Sequence, residues 1–197
     1  MTGRRTDSTS GPLTLSGRVV RLRDFRPDDL DAVRGIVGDD RVTYFLSFNS
    51  RGTEQARAML HDLIERAARQ PRTDYYLAIT PLEPVTPAET DRVVGFARLL
   101  LSGQRAARLG YAVAHDYQGR GYAGDAARTL LDFAFGALQL HRVTGAVAPD
   151  NTAGITSVER LGFTREGVLR DHVHTNGAWR DSILYSILAH EWNAERD

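Results

Sequence analysis

Seven consecutive residues carry the plainest chemistry in the chain: Gln118-Gly119-Arg120-Gly121-Tyr122-Ala123-Gly124. Their three glycines let the backbone come close to a bulky group and take φ values that other residues avoid. From Ala123 onward, apolar residues recur at three- and four-residue spacing (Ala126, Ala127, Leu130, Leu131, Ala134, Ala137, Leu138), which predicts an amphipathic helix. The first turn of a helix leaves backbone N–H groups without partners, and its dipole puts partial positive charge there. Arg120 adds a full charge. Such residues at this spacing suit the holding of a pyrophosphate; the other reading is an ordinary glycine-rich turn into a helix. Two common phosphate motifs are ruled out. No Gly-Lys-Ser/Thr follows, and Gly119, Gly121 and Gly124 are not in the dinucleotide-binding order.

The elements that must position this turn can be read around it. Leu109 to Ala114 is apolar and β-like, so the unit is strand, glycine turn, helix. Upstream, Val19 to Phe25 reads as a first strand. Pro27-Asp28-Asp29 opens a helix carried by Leu30, Val33, Ile36 and Val37, with Gly38 at its end. Asp39 to Gly52 has Val42, Tyr44, Phe45, Leu46 and Phe48 but no period, and reads as loop with about half a helical turn. Thr53 is placed to cap the next helix, with Glu54 in its first turn and Ala56, Met59, Leu60, Leu63, Ile64 and Ala67 as its stripe. Tyr75 to Ile79 is a strand, Thr80 to Arg92 a proline-rich hairpin loop, Val93 to Leu101 a strand, and Ala107 to Ala114 the strand that enters the turn. Beyond the long helix come a strand (Arg142 to Val147), a short helix (Thr152 to Leu161) and two strands (Phe163 to Arg170, Arg180 to Leu188) about a Thr175-Asn176-Gly177 turn. This order predicts one mixed α/β (α+β) domain over residues 13–197, mostly antiparallel, behind a polar tail at 1–12 expected to be disordered.

Composition bounds the function. The chain has 197 residues, 42% of them hydrophobic, enough for one sizeable core. Its 25 basic and 25 acidic residues balance, so no net charge draws it to nucleic acid or an anionic membrane. With no cysteine there is no disulfide, thiolate metal site or cysteine nucleophile. No apolar run approaches the roughly 20 residues of a membrane helix. Two arginines near the N-terminus have no apolar segment behind them to make a signal peptide, so a cytoplasmic protein is expected.

Gln118, Gly121 and Ala123 fit the pattern Gln/Arg-x-x-Gly-x-Gly/Ala, and the chain resembles the GCN5-related N-acetyltransferase (GNAT) superfamily, whose acetyl-CoA signature this is. Asn151 followed by Leu161-Gly162-Phe163 extends the match. Glu166-Gly167, Gly177, and Asp181 with Tyr185-Ser186 are similar to the RimJ/RimL-like ribosomal-protein alanine acetyltransferase branch. The resemblance covers nearly the whole chain from about Leu13. It implies a sheet of six to seven strands splayed between the fourth and fifth (Ala107–Ala114 and Arg142–Val147), flanked by about four helices. It implies acetyl transfer from acetyl-CoA, with no metal, to a primary amine. Tyr111, Ala112 and Val113 would offer backbone groups to the pantetheine arm, Gln118, Gly119, Arg120, Gly121, Tyr122, Ala123 and Gly124 would hold the pyrophosphate, and Asn151 would contact the arm. Relatives are often homodimers, so a homodimer is an expectation by analogy.

The transfer needs a neutral amine, whereas an amine of pKa about 8 to 10 is mostly protonated at pH 7. A base must take its proton, directly or through water. The thioester oxygen gains charge, so a backbone N–H near Val113 should face it. The leaving thiolate needs a donor. Three usual side chains are missing: the family's glutamate position is Ala146, its tyrosine position Val158, and the RimL-type serine position Gly154, with Ser157 one helical turn away. The expected base is Asp171, His172 or His174, since the RimL-type acidic base aligns near Val173 and histidine has a suitable pKa. Alternation would put both histidines on one face and Asp171 on the other; equally, all three are solvated hairpin residues. On the first reading, replacing both histidines by alanine costs about tenfold or more in rate. On the fallback reading, positioning and the Val113 amide suffice and water takes the proton.

His115 reads as a surface residue, and Trp179 and Trp192 as packing. Tyr44, Phe45 and Phe48 could wall an amine pocket or pack in the core. Asp39-Asp40 or Glu54 could meet a cationic acceptor or form a solvated face. The sequence reads best as an acetyl-CoA-dependent N-acetyltransferase acting on the α-amine of a protein or peptide. The alternatives are a small-molecule amine (amino acid, polyamine or aminoglycoside) as acceptor, or a non-catalytic acyl-CoA-binding module.

Overall fold

Strands with alternate apolar residues can bury both faces only if helices cover both faces of the sheet, and the chain builds such a sandwich. The computed structural model describes residues 12–83 and 90–194. Except for Pro12, the expected disordered tail lies outside these residues, as does the middle of the proline-rich loop. In chain order the elements are β1 (Thr14–Ser16), β2 (Val20–Arg23), α1 (Leu30–Val37), α2 (Asp40–Thr43), α3 (Thr53–Ala67), β3 (Asp74–Pro81), β4 (Gly95–Leu101), β5 (Ala106–Val113), α4 (Tyr122–Gly136), β6 (Arg142–Val147), α5 (Thr152–Arg160), β7 (Thr164–Thr175), β8 (Ala178–Leu188) and α6 (Ala189–Ala194). One eight-stranded sheet runs β1-β2-β3-β4-β5-β6-β8-β7, antiparallel everywhere except between β5 and β6.

Period-two alternation divides the core. Leu77, Ile79, Ala97 and Leu99 pack with Leu130, Leu131 and Ala134 of α4 on one face. Ala78 and Phe96 pack with Val33, Ile36, Leu60 and Leu63 of α1 and α3 on the other. Burying Leu130 and Leu131 completely contributes about 1.5–3 kcal/mol each, which pins α4 to the sheet.

Four expectations need correction. The sheet has eight strands because Thr14–Ser16 folds back on β2, pairing Leu15 with Leu22. Among the described residues there are six α-helices, because α2 is a single turn capped by Asp39, which accepts the Arg41 N–H at 2.9 Å, and because α6 docks through Trp192. That tryptophan is buried and donates to Asp132 at 3.0 Å, whereas Trp179 is 61% exposed and does not pack in the core. The cap of α3 is Gly52, not Thr53; the Gly52 N–H donates to the Gln55 side chain at 3.1 Å.

Candidate active site

β5 and β6 pair at only three positions, Ala106 with Arg142, Ala107 with Val143 and Arg108 with Thr144, and then part. Their outer edges stay paired, β5 with β4 as far as Val113 and β6 with β8 as far as Val147. The gap is therefore held open by two intact ladders. Ser102 N–H donates to the Ala106 carbonyl at 2.9 Å, and Ala114 N–H to the Val94 carbonyl at 2.8 Å. These bonds fix the parity of the antiparallel ladder: even-numbered residues of β5 bond to β4, and odd-numbered ones face away. Tyr111 and Val113 thus turn N–H and C=O into the gap. Ala112 does not, since its backbone groups belong to Phe96, so the expectation for Ala112 is corrected. The Val113 carbonyl accepts from Gln118 Nε2 at 3.1 Å, which ties down the end of β5. The Gln118 side chain is spent there.

Beyond β5 a 3-10 turn (His115–Tyr117) with His115 exposed leads into the glycines. Gly119 (φ +75) and Gly121 (φ +79) are both left-handed, and Gly121 is the N-cap of α4 with no side-chain cap. A Cβ at Gly119, Gly121 or Gly124 would meet no protein atom within 4 Å. The turn is open outward, toward the side from which an anion would approach unpaired first-turn N–H groups. Arg120 is exposed beside it, over the Tyr117 ring at 5.2 Å. The Tyr122 side chain is buried in the core, so only its N–H is offered, and Ala123 is half-buried.

An acid in the first turn, Asp125, would repel a phosphate if it faced one. Its carboxylate instead accepts the N–H groups of Arg18 (3.1 Å), Val19 (2.8 Å) and Val20 (3.0 Å), lacing the β1–β2 turn to α4. Sequence reading missed this residue, although an acid beside a phosphate-type turn signals that it has another partner.

Across the gap, Asn151 caps α5, its Oδ1 accepting Gly154 N–H at 2.9 Å and leaving Nδ2 as a donor. A Cβ at Gly154 would lie 2.6 Å from that Nδ2 and 3.0 Å from Val147 Cγ1, so the site does not admit the RimL-type serine without a shift. Val158 is buried core, and Ala146 is exposed. The preceding helix residue reaches over the gap: Ser157 Oγ is 2.7 Å from Tyr111 Oη. Burial pushes the Tyr111 phenol above its usual value, against the opposing pull of the Ser157 hydrogen bond, so it stays protonated and able to donate.

Two of the three expected bases, His172 and His174, have other side-chain partners. β7 bulges between Leu169 and Val173, and Asp171 sits there at φ +47 with its N–H on Asp181 at 2.9 Å. Simple alternation therefore fails where it was applied. His172 Nδ1 is 3.0 Å from Ser182 Oγ, and the His174 ring stands edge-on to Trp179 at 5.1 Å. None of the three lines the cavity described next.

Over Gly110 and Tyr111 lies a cavity of about 260 Å³, between the 46–51 loop, α3 and the β3–β4 surface. Leu46 and Phe48 line it, whereas Tyr44 and Phe45 are exposed outside it. The loop is strapped on three sides. Asn49 accepts Asn176 N–H at 2.8 Å, Tyr44 OH donates to Asp150 at 3.4 Å, and Arg180 lies over the Tyr44 ring at 4.6 Å. Asp39, held below the usual carboxylate range chiefly by its hydrogen bond from Arg41, and Glu54 stand outside the cavity lining. Among the described residues, no three His, Asp or Glu side chains are grouped to hold a metal ion, and no helix is long and apolar enough to cross a membrane.

Comparisons with known proteins agree with this geometry. The family model described as an acetyltransferase (GNAT) domain matches residues 20–164. The chain is 31% identical over 173 residues to the N-acetyltransferase YnaD of Bacillus subtilis, covering 87% of this chain and 95% of that one. It is 27% identical over 104 residues to the Escherichia coli [ribosomal protein uS5]-alanine N-acetyltransferase, 53% of this chain and 54% of that one. The solved structure of Mycobacterium smegmatis RimJ in complex with CoA-disulfide superposes with a TM-score of 0.73 at 26% identity, over 94% of this chain and 93% of that one. A parallel strand pair that opens beside a glycine turn, within a matched family model covering most of the chain, makes this protein a GNAT-superfamily acyltransferase of the RimJ/RimL-like branch.

Proposed function

We propose that the protein transfers an acetyl group from acetyl-CoA to the α-amine of a peptide or protein N-terminus. One observation carries this reading: Tyr111 and Val113 direct their backbone N–H groups into a gap that ends at an open, doubly left-handed glycine turn. A pantetheine arm fits along that edge, and the first-turn N–H groups with Arg120 suit its pyrophosphate. Bound there, acetyl-CoA supplies an acyl carbon joined to a good leaving group. Val113 N–H stands ready for the carbonyl oxygen as it gains charge. Tyr111 and Ser157 form a hydroxyl pair able to donate to the departing sulfur. The cavity beside Gly110 and Tyr111 holds the acceptor, and its neutral amine attacks while its proton passes to water. One N–C bond forms, one C–S bond breaks, CoA leaves with a proton from the hydroxyl pair, and the proton that the amine gave to water restores that pair. The exposed rings of Tyr44, Phe45 and Trp179 near the cavity loop and the β7–β8 hairpin give a following peptide chain somewhere to lie, which favours a peptide over a polyamine.

The test is CoA release, followed with a thiol reagent, using acetyl-CoA and matched panels of N-terminal peptides and small amines. The chain has no cysteine and adds no thiol background. Release with peptides supports the reading. Release with small amines alone replaces the acceptor, and binding of acetyl-CoA without release to any amine identifies a binding module.

A further inference from the structure

Five charged side chains meet in and under the cavity, and four of them are mutually satisfied. Asp74 is buried and accepts from Arg98 at 2.8 Å through each oxygen, and from Arg66 at 3.3 Å. Arg66 also donates to Asp62 at 2.8 Å. The fifth, Arg51, has no carboxylate partner among the described residues. Its guanidinium lies over the Phe48 ring at 4.7 Å, and its backbone N–H donates to the Val37 carbonyl at 2.8 Å. It is half-buried and lines the cavity, as does Gly110, where a Cβ would meet no protein atom within 4 Å. The strapped loop that carries it also holds it in place. Ser50 bonds both Thr43 and Asp40, and Asn49 is fixed to the β7–β8 hairpin. A preorganised guanidinium with an apolar ring behind it and no ion-pair partner is suited to bind a carboxylate by both prongs of its fork.

We propose that the acceptor carries a carboxylate close to its reacting α-amine, and that Arg51 binds it. This deepens the acetyl-transfer reading and rests on it. Two sources share that chemistry: an acidic side chain in the first two residues of a peptide, and the α-carboxylate of a free amino acid. A volume of about 260 Å³ has room for one or two residues and no more. Three arginines against two aspartates leave the site net positive, which is wrong for a polyamine.

The experiment uses the full chain, saturating acetyl-CoA and three acceptor sets: peptides beginning with Asp or Glu against the same peptides with Asn or Gln, free amino acids against their amides, and spermidine. It is run on the native protein, Arg51→Gln and Arg51→Lys. In parallel, calorimetry with CoA present measures binding of the acid and amide members. The expected result is a preference of at least about tenfold in kcat/KM for acid over amide. That preference is abolished by Arg51→Gln, mostly through KM, and partly kept by Arg51→Lys, which retains charge without the fork. Peptides showing the preference identify the acidic side chain, and free amino acids the α-carboxylate. The ratio is what decides, since misfolding would lower both members together. An unchanged ratio in Arg51→Gln, or a preference for amides or spermidine, overturns the role of Arg51 while leaving acetyl transfer intact. Acid-selective binding lost in Arg51→Gln, without turnover of any amine, keeps the carboxylate site and removes the transfer reading. Neither turnover nor selective binding overturns both.

Discussion

Replacing Gly121 by alanine separates the glycine turn's role in binding from its role in folding. Gly121 sits at φ +79, ψ −3 as the N-cap of α4. An L-residue held there costs about 1–2 kcal/mol, and a new Cβ meets no protein atom within 4 Å, so backbone strain is the only cost within the protein. The helix cannot move to relieve it, because Ala126, Ala127, Leu130 and Leu131 are fully buried. If the turn keeps its shape, the thermal midpoint falls by about 2–8 °C. If it relaxes, the N–H groups of residues 121–123 swing away from the place assigned to the pyrophosphate. Hydrogen bonds to a charged group contribute about 1.5–3 kcal/mol, so losing one raises KM for acetyl-CoA by about tenfold or more. S-acetylpantetheine carries the same thioester and arm but no pyrophosphate. It provides the control, read by the same thiol assay at a fixed amine concentration. The variant should be impaired with acetyl-CoA and within about twofold of the native protein with S-acetylpantetheine. Equal losses with both donors, or no loss with either when the thermal midpoint is also unchanged, would refute the assignment of the turn to the pyrophosphate.

Tyr111→Phe removes the hydroxyl that joins β5 to Ser157 and should lower kcat about tenfold with KM for acetyl-CoA nearly unchanged, at a stability cost of about 1 kcal/mol in urea unfolding. Burial raises the phenols of both Tyr76 and Tyr111 in the fold, while the unfolded value stays near 10. Between the two values the native state holds more protons than the unfolded state, so the urea midpoint should fall as pH rises past about 10, and fall less steeply in Tyr111→Phe. Asp125→Ala frees three N–H groups of the β1–β2 turn and should cost about 2–3 kcal/mol in thermal or urea unfolding, with kcat within about twofold. The double substitution His172→Ala, His174→Ala should change kcat less than about threefold, against the ~10²–10⁴ expected for loss of a general base.

The strand–turn–helix at Leu109 to Leu138 was legible because both of its signals are local: apolar periodicity, and glycines where the backbone must turn left-handed. The bounds of β6 agree with the sequence reading and those of α4 lie within two residues of it, for the same reason. What failed was non-local. Alternation along Phe163 to Arg170 says which residues share a face only while the ladder is regular. The bulge at Asp171 breaks that rule, and nothing in the local sequence marks an aspartate that takes φ +47 to bring its N–H to Asp181. Arg51 stood in a stretch without period, where its lack of a partner could not be seen. Asp125, Arg18, Val19 and Val20 are more than a hundred positions apart in part, so a carboxylate satisfied by three amides looked like one more charge on a helix. Gly154 is the opposite case. In the sequence it reads only as a missing serine, yet its space is already filled by the capping side chain of Asn151 and by Val147.

The absence of the family's usual glutamate, tyrosine and serine weakens a catalytic reading only if side chains must do the work. In the mechanism proposed above the group that meets the developing charge is a backbone N–H, and what aims it is register. A slip of one residue between β4 and β5 would turn Val113 toward β4 and put Ala112 or Ala114 at the gap. Gly95, opposite Val113, guards against this. A Cβ there would collide with the Ala112 carbonyl and come within 3.0 Å of Val113 Cα, so only glycine allows the strands to approach with this pairing. Gln118 then holds the Val113 carbonyl, and Ser157, one position before the family's tyrosine, meets Tyr111 from β5. The donor pair is thus divided between a strand and a helix on opposite sides of the gap, so Tyr111 and Ser157 should couple: removing both hydroxyls should cost little more in kcat than removing either one.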